Sequence, residues 1–437
     1  MSKIATPHAA IIGLGNRGYI YAQLIKHFGG HVSVGVDPSA YRRAQLAQLF
    51  PGAMLFESWQ ELFDMHQERP RIDCLVIATP DQERRDLVIK ATELGKPMLV
   101  EKPMALTTED CLAIADAVER RGVRFVLAYV MRYTPFYRQV QQCIAAGMIG
   151  RVEKINATEF IERGHYRHSY VRNEMWNQGP LLDLKSGHDI NMLLSMYGDQ
   201  GCVQVDSVAS PLYYIPENQP REANGADRCM TCPAEKSCDA SAVDFYVRRR
   251  VAQGHTAWPL NHLVADGPIT YESVTAALEH GPFGRCAFQC GSNVSGHQEV
   301  RLQFEDGTLA QFSLNTGGHR INRTIEITGS EGFLTGSMED SLITIHRYDR
   351  DDTQTIEVDP GYVLTPHRHA GGDEGLTQAF MTALQTDDWS QMPTDHDDAL
   401  RTHQVVYQAE ASRHAGGRPM PVMASGGWAE MSLSLMA

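Results

Sequence analysis

The sequence predicts an α/β protein in two parts: an N-terminal doubly wound parallel sheet, then an α+β domain with a largely antiparallel sheet. Three observations carry that expectation. Short β-prone runs alternate with helix-like stretches up to about residue 130, as in βαβ units. A glycine-rich turn links the first strand to the first helix. Beyond residue 130 the apolar pattern switches to period two, the signature of strands with one face buried. The 437 residues suffice for two or three domains at about 150 residues each. Composition excludes other classes: 43% hydrophobic residues are too many for a disordered polymer, and 9 cysteines too few for a disulfide-framed miniprotein. With 39 Lys+Arg against 53 Asp+Glu, the net charge of -14 disfavours nucleic acid or a membrane surface as partner, since both are bound through surplus cations.

The run 9–12 is a short apolar strand that leads into Gly13-Leu14-Gly15-Asn16-Arg17-Gly18 and a helix over 19–28. A second strand, 31–36, ends at Asp37, and a helix follows over 41–50. The apolar run 72–78 reads as a strand covered on both faces. Then come a helix over 84–94, a strand over 97–100, a helix over 108–121 and a strand over 123–129. In the second part, helices are expected near 136–147 and 180–197, and strands over 152–161, 298–304, 309–314 and 324–327. Glu305-Asp306-Gly307-Thr308 reads as a hairpin turn, because Asp-Gly tolerates the positive φ angles such turns need. A stretch rich in Pro, Asn and Glu, 216–226, opens an insertion that runs to about 283, and 373–414 is mainly helical with a break near Pro393. The expected division is a dinucleotide domain over 1–130 and a substrate and oligomerisation domain over 131–437. No signal-like N-terminus and no apolar run of membrane-spanning length appears, which predicts a cytoplasmic protein with reduced cysteines.

The glycine turn has the context of a dinucleotide-binding Rossmann fingerprint. Gly13 permits the tight turn, Gly15 lets the backbone approach a pyrophosphate, and Gly18 lets helix and strand pack closely. Leu14, Asn16 and Arg17 complete the loop. Asp37, 19 residues after Gly18, is the expected acceptor for the adenosine ribose and would repel a 2′-phosphate, which favours NAD over NADP. Arg42 and Arg43 lie near enough in sequence to soften that preference. Glu101-Lys102-Pro103 directly follows a strand, at the end where ligands bind in such sheets, so Lys102 points toward the cofactor. Partial desolvation there would lower its pKa into a range useful for proton transfer.

Gly13/Gly15/Gly18, Ala78-Thr79-Pro80, Glu101-Lys102-Pro103 and Lys185-Ser186-Gly187-His188-Asp189, in that order, resemble the Gfo/Idh/MocA family of nicotinamide-dependent oxidoreductases over essentially the whole chain. The resemblance implies an N-terminal Rossmann domain for NAD(P) and a C-terminal domain that supplies the substrate pocket and a homo-oligomer interface, dimeric or tetrameric. It implies an activity on the hydroxyls of sugars, inositols and related polyols. Thr79, Pro80, Glu101 and Lys102 would line the cofactor site, with Lys102 also reaching the substrate hydroxyl. His188 matches the family histidine paired with that lysine, and a neutral imidazole there could take a carbinol proton as hydride leaves. Many members carry an acid four residues before this histidine; here that position is Leu184, with Asp183 one residue earlier, and a one-residue offset on a helix turns a side chain by about 100°. Lys185 is a second candidate for the proton network.

The stretch 162–176 concentrates His, Tyr and Arg, and resembles a His-Ser-Tyr-Val-Arg segment of one family branch. His165, Tyr166, His168, Tyr170 and Arg172 are the substrate candidates, and the arginines would suit a sugar bearing a carboxylate, sulfonate or phosphate. His367-Arg368-His369 and Asp373 resemble a His-x-Gly-Gly-Asp signature of the same branch; Asp373 is placed to cap the following helix and His369 to reach the pocket. Cys229, Cys232 and Cys238 are spaced as C-x2-C-x5-C, a recurrent half-site for tetrahedral zinc, with Cys286, Cys290 or a His as fourth ligand; the expectation is a structural zinc clamp on Cys229, Cys232, Cys238 and Cys286, with an iron-sulfur cluster or unligated thiols as alternatives. Two outcomes of the redox chemistry stay open. One is a net NAD-dependent dehydrogenase; the other is a glycosidase that oxidises the sugar transiently, eliminates the aglycone and returns the hydride to bound NAD.

Overall fold

The computed structural model describes residues 4–65, 70–172, 179–198, 200–364 and 369–422. The first sheet is built from β1 (His8–Ile12), β2 (His31–Val36), β3 (Met54–Phe56), β4 (Cys74–Ile77), β5 (Met98–Val100) and β6 (Phe125–Leu127). Between them run α1 (Asn16–His27), α2 (Ala40–Leu49), α3 (Trp59–Phe63), α4 (Asp81–Ala91) and α5 (Thr108–Arg121). All strands are parallel in the order β3-β2-β1-β4-β5-β6. The near-continuous apolar runs of β1 and β4 follow from this, since helices cover both faces. Two elements, β3 and α3, were not anticipated; β3 is a three-residue edge strand that stays partly exposed, too short for any periodicity to show.

The second sheet has nine strands in the order β14-β13-β12-β11-β7-β10-β9-β8-β15. Its members are β7 (Val152–Glu162), β8 (Cys202–Ala209), β9 (Gln298–Phe304), β10 (Leu309–Gly318), β11 (Asn322–Gly329), β12 (Gly332–Ser337), β13 (Leu342–Arg347), β14 (Thr353–Glu357) and β15 (Met420–Pro421). Only β7 and β10 pair in parallel; every other neighbour is antiparallel. β9 alternates buried and exposed along its whole length, as period two requires. The β9–β10 hairpin turns at Gly307, with φ +84°, where Asp306 Oδ1 accepts the Thr308 N–H at 2.9 Å. α6 (Pro135–Ala145), α7 (Arg163–Tyr166) and α8 (Leu181–Met196) lie before this sheet's insertion, and α8 is buried along most of its length.

The insertion is longer than expected. It occupies everything between β8 and β9, residues 210–297, and consists of short helical turns with α9 (Leu260–Leu263) and α10 (Tyr271–His280). Cys286 and Cys290, two of the candidates for a fourth ligand, flank a 3₁₀ turn, Ala287–Gln289. The C-terminal helices α11 (Gly372–Thr386) and α12 (His396–His414) return to the first sheet: Met381 packs where a Cβ on Gly30 would stand, Ala399 and Leu400 join the apolar cluster beneath β4 to β6, and Leu127 N–H donates to Thr394 O at 2.7 Å. The two sheets are thus clamped by helices from the end of the chain.

Candidate active site

The features able to hold a dinucleotide gather at the carboxyl edge of the first sheet. Ile12 pairs with Val36 on one side and Ile77 on the other, so Gly13, Asp37 and Ala78 emerge side by side where the strand order reverses. Gly13 has φ +90°, and a Cβ there would stand 2.5 Å from the Ala78 carbonyl oxygen. A Cβ on Gly18 would fall 1.8 Å from Gly13 O, so the start of α1 seats against the turn only because Gly18 is glycine. At Gly15 a Cβ would meet nothing but the Arg42 side chain, at 3.5 Å, and α1 has no side-chain cap, which leaves its first N–H groups available to an anion. Asp37 is buried and accepts from Leu14 N–H at 2.8 Å and Ser39 N–H at 2.9 Å. Thr79 adds a buried hydroxyl with no partner among the described residues, beside Pro80 at the start of α4. The glycine cradle, the carboxylate and the orphan hydroxyl fit NAD.

The candidate catalytic corner lies next to it. Buried Arg84 of α4 donates to the carbonyls of Thr79, at 2.8 Å, and of Pro103, fastening the Ala-Thr-Pro turn to the Glu-Lys-Pro turn. Sequence reasoning did not single out Arg84, because a lone Arg in a helix carries no motif. Glu101 accepts from Arg17 Nε at 2.6 Å and from Tyr21 OH at 2.7 Å. Burial works to raise its pKa, but the Arg17 charge and these hydrogen bonds hold it below the usual carboxylate range.

The Lys102 ammonium donates to the Leu184 carbonyl of α8, the helix that carries His188. Burial lowers the Lys102 pKa against the opposing charge of Asp183, and burial raises Asp183 to about 7 against the opposing charge of Lys102. Asp183 is five rather than four residues before His188, yet it is the acid that acts most strongly on Lys102. His188 is almost wholly buried, edge-on to Tyr129, with its Nδ1 free of any partner among the described residues. Burial, then the Lys102 charge, pushes its pKa well down, so the imidazole is neutral. Its ring centre is 5.7 Å from that of His369, whose Nδ1 lies 3.0 Å from Asp373 Oδ2. His369 and Ala370 hold φ of +42° and +40°, a left-handed backbone in two non-glycine residues beside the site. Lys185 pairs with buried Glu159 at 2.7 Å, and Glu159 is shared with Arg323.

Residues 8–129 match the family model described as an oxidoreductase family with an NAD-binding Rossmann fold. That match, to the Rossmann part of the Gfo/Idh/MocA oxidoreductase family, covers the first sheet and its helices. YteT of Bacillus subtilis (strain 168), named as an oxidoreductase, is 22% identical over 426 residues, 92% of each chain. The scyllo-inositol 2-dehydrogenase (NAD(+)) of the same organism is 36% identical over 146 residues, 32% of this chain and 41% of that protein. The structure of a levoglucosan dehydrogenase in complex with NADH and levoglucosan superposes with a TM-score of 0.68 at 18% identity, covering 95% of this chain and 99% of the other.

The remaining expected site residues fall into two groups. Arg17 does not turn its guanidinium to the cofactor edge; it donates to Glu101, to Tyr21 and to both oxygens of Asp373, joining α1 to α11. The Leu14 amide is taken by Asp37, and Asn16 Oδ1 accepts from Asn261 of the insertion at 3.1 Å. In the segment after β7, Tyr166 OH donates to Ser295 O at 2.6 Å, and Tyr170 is buried against His165 and Tyr166. Fully buried His168 spends one ring nitrogen on Tyr246 OH, at 2.6 Å, and the other on His262, at 3.1 Å. Arg172 donates to the carbonyls of Arg285 and Ala240. Tyr166, His168 and Arg172 thus tie this segment to the insertion. His165 and His369 keep partial exposure. Residues 173–176 and His367 lie outside the described residues.

The zinc expectation is corrected. Cys229, Cys232, Cys238 and Cys286 do line one small cavity, but all nine cysteines are free, and among the described residues no three His, Cys, Asp or Glu side chains are grouped to hold a metal ion. Their sulfurs are engaged otherwise. Cys229 Sγ accepts from the Ala242 N–H at 3.4 Å and Cys286 Sγ from Gln219 at 3.2 Å. Among the described residues no helix is long and apolar enough to cross a membrane.

Proposed function

We propose that this protein moves hydride between NAD and a hydroxyl of a sugar, sugar acid or cyclitol. The observation that carries the reading is the convergence of Lys102, Asp183 and His188 beside a crevice that fits NAD. The printed activities of relatives, an NAD-dependent inositol dehydrogenase and a levoglucosan dehydrogenase, support the substrate class. Bound NAD supplies the hydride acceptor. In the oxidising direction the amine of Lys102, its pKa lowered by burial, receives the hydroxyl proton, and the Asp183 carboxylate offsets the charge that then forms. Neutral His188 offers a second hydrogen bond to the same oxygen and fixes which hydroxyl is presented. His369, oriented by Asp373, and His165 are the further substrate contacts, with Lys185 at the rim. NAD is favoured over NADP because Asp37 stands at the ribose position and Arg43 is drawn away onto Glu57 at 2.8 Å and onto the Asp37 and Pro38 carbonyls. We include a homo-oligomer in the proposal, since Leu309 and Leu342 of the second sheet are exposed; light scattering reads its size.

The test is a panel of polyols, sugar acids and aryl glycosides with purified protein and NAD. Reduced nicotinamide formed in step with substrate consumed is the expected result. Aglycone release without accumulated NADH would replace the net oxidation by the transient one, and no turnover of any carbohydrate would remove the reading.

A further inference from the structure

Among features that the catalytic corner does not use, the insertion's contacts with the first sheet have a consistent direction. α9 is a single turn rooted in a separate apolar cluster, with Leu260 and Leu263 packed among Tyr246, Val274, Leu278 and Phe283. From that root three consecutive features reach the cofactor edge. Asn261 Nδ2 donates to Asn16, the first residue of α1 and the neighbour of Gly15. His262 lies near enough to Arg42 for that charge to depress its pKa, after the larger effect of burial, and Arg42 is the side chain 3.6 Å from Asp37. Asp266 accepts from the Ser39 hydroxyl at 2.6 Å, and Ser39 both caps α2 and donates its N–H to Asp37. Asn16 marks the pyrophosphate end of the fingerprint, and Asp37 with Ser39 the adenosine ribose. One short segment therefore touches both ends of the nucleotide half of the crevice. Its opposite face is held by His262 to buried His168, in the segment that follows β7. The Asn261 Oδ1 is buried without a hydrogen-bond partner among the described residues, a cost that a bound donor such as a ribose hydroxyl would relieve.

We propose that the segment 258–266 is a strap that completes the cofactor site. In it Asn261 contacts the nucleotide at the start of α1, and Asp266, docked on Ser39, closes the ribose side; together they slow NAD release. The proposal rests on the reading of the crevice as an NAD site. A preformed strap must move for the dinucleotide to leave, so its contribution lies mainly in the off-rate. The carboxylate of Asp266 adds to Asp37 as a second negative charge against a 2′-phosphate. Retention also bears on the choice between net and transient oxidation, because hydride can return to the substrate only if NADH stays bound through the intermediate steps.

The experiment measures NADH release by stopped-flow fluorescence displacement in the full-length native protein, in Asn261→Ala/Asp266→Ala and in Asn261→Asp. The last keeps the side-chain volume but sets a carboxylate beside the pyrophosphate. Expected are release at least tenfold faster in the double variant, and a weaker NADH affinity in Asn261→Asp than in the double variant that salt partly restores, which packing alone would not produce. Release rates within twofold of native in both variants, with circular dichroism unchanged, would overturn the strap. Lys102→Met is measured alongside: native-like slow release in that variant keeps the strap even if no carbohydrate is turned over. Failure of every form to bind NADH would remove both the strap and the underlying reading.

Discussion

The cofactor edge and the catalytic corner are neighbours assembled in opposite ways. The edge is built from consecutive strand-to-helix turns, and its decisive contacts are backbone approaches such as Gly18 against Gly13 or the Ala78 carbonyl over Gly13. The corner depends on side chains far apart in sequence. Lys102 meets α8, and Arg17 meets Asp373 across 356 positions. Local geometry therefore shapes the glycine cradle, whereas the corner rests on buried charges that α8 and α11 bring to it. A charge left alone in such a place costs far more than a missing surface pair.

That contrast can be broken first at Asp373. Asp373→Asn removes the carboxylate that buried Asp373 gives to half-buried Arg17 and should cost about 3 kcal/mol in urea unfolding, with His369 losing its orienting carboxylate. The loss should depend on pH. Although burial opposes it, the Arg17 charge keeps the Asp373 pKa below its ordinary value of 3.8, so its stabilisation is present above that value and lost as pH falls through the folded pKa. The stability gap between native protein and variant should accordingly narrow below about pH 4.

A smaller effect is expected at the edge itself. Gly18→Ala forces a Cβ into backbone and should cost about 2 kcal/mol, with NADH affinity lost before cooperative unfolding is; calorimetric titration beside thermal melts separates the two. The smallest concerns the pH profile. Because the Asp183 charge raises the Lys102 pKa, Asp183→Asn should let burial push it further down, moving the half-point of the oxidation rate to lower pH by about one unit. An unmoved profile would separate Asp183 from the lysine.

The same contrast explains what the sequence made legible. The glycine spacing, Asp37 and the alternation of β1, β2 and β4 with their helices all lie within short windows, where periodicity and turn chemistry speak directly. Lys102 and His188 were singled out through their motifs. Arg84, Glu159 and Arg323 were not, since each acts through a partner that only the fold brings near. The residues after β7 carry structural contacts that the sequence did not show, for a related reason. His168 and Arg172 have the chemistry of a sugar site, but residues 210–297 cover them, and their polar atoms are spent on Tyr246, His262, Ala240 and Arg285. The cysteine spacing likewise brought four thiols to one cavity without a ligand geometry. Composition is silent on which buried polar group serves a ligand and which serves the chain.

The most direct test is Lys102→Met, assayed with the best carbohydrate found and NAD, with NADH affinity measured in the same preparation. A loss of kcat of roughly 1,000-fold with NADH affinity within a few-fold of native is predicted, because the side chain moves a proton and does not build the cradle. Full turnover in that variant would contradict the account.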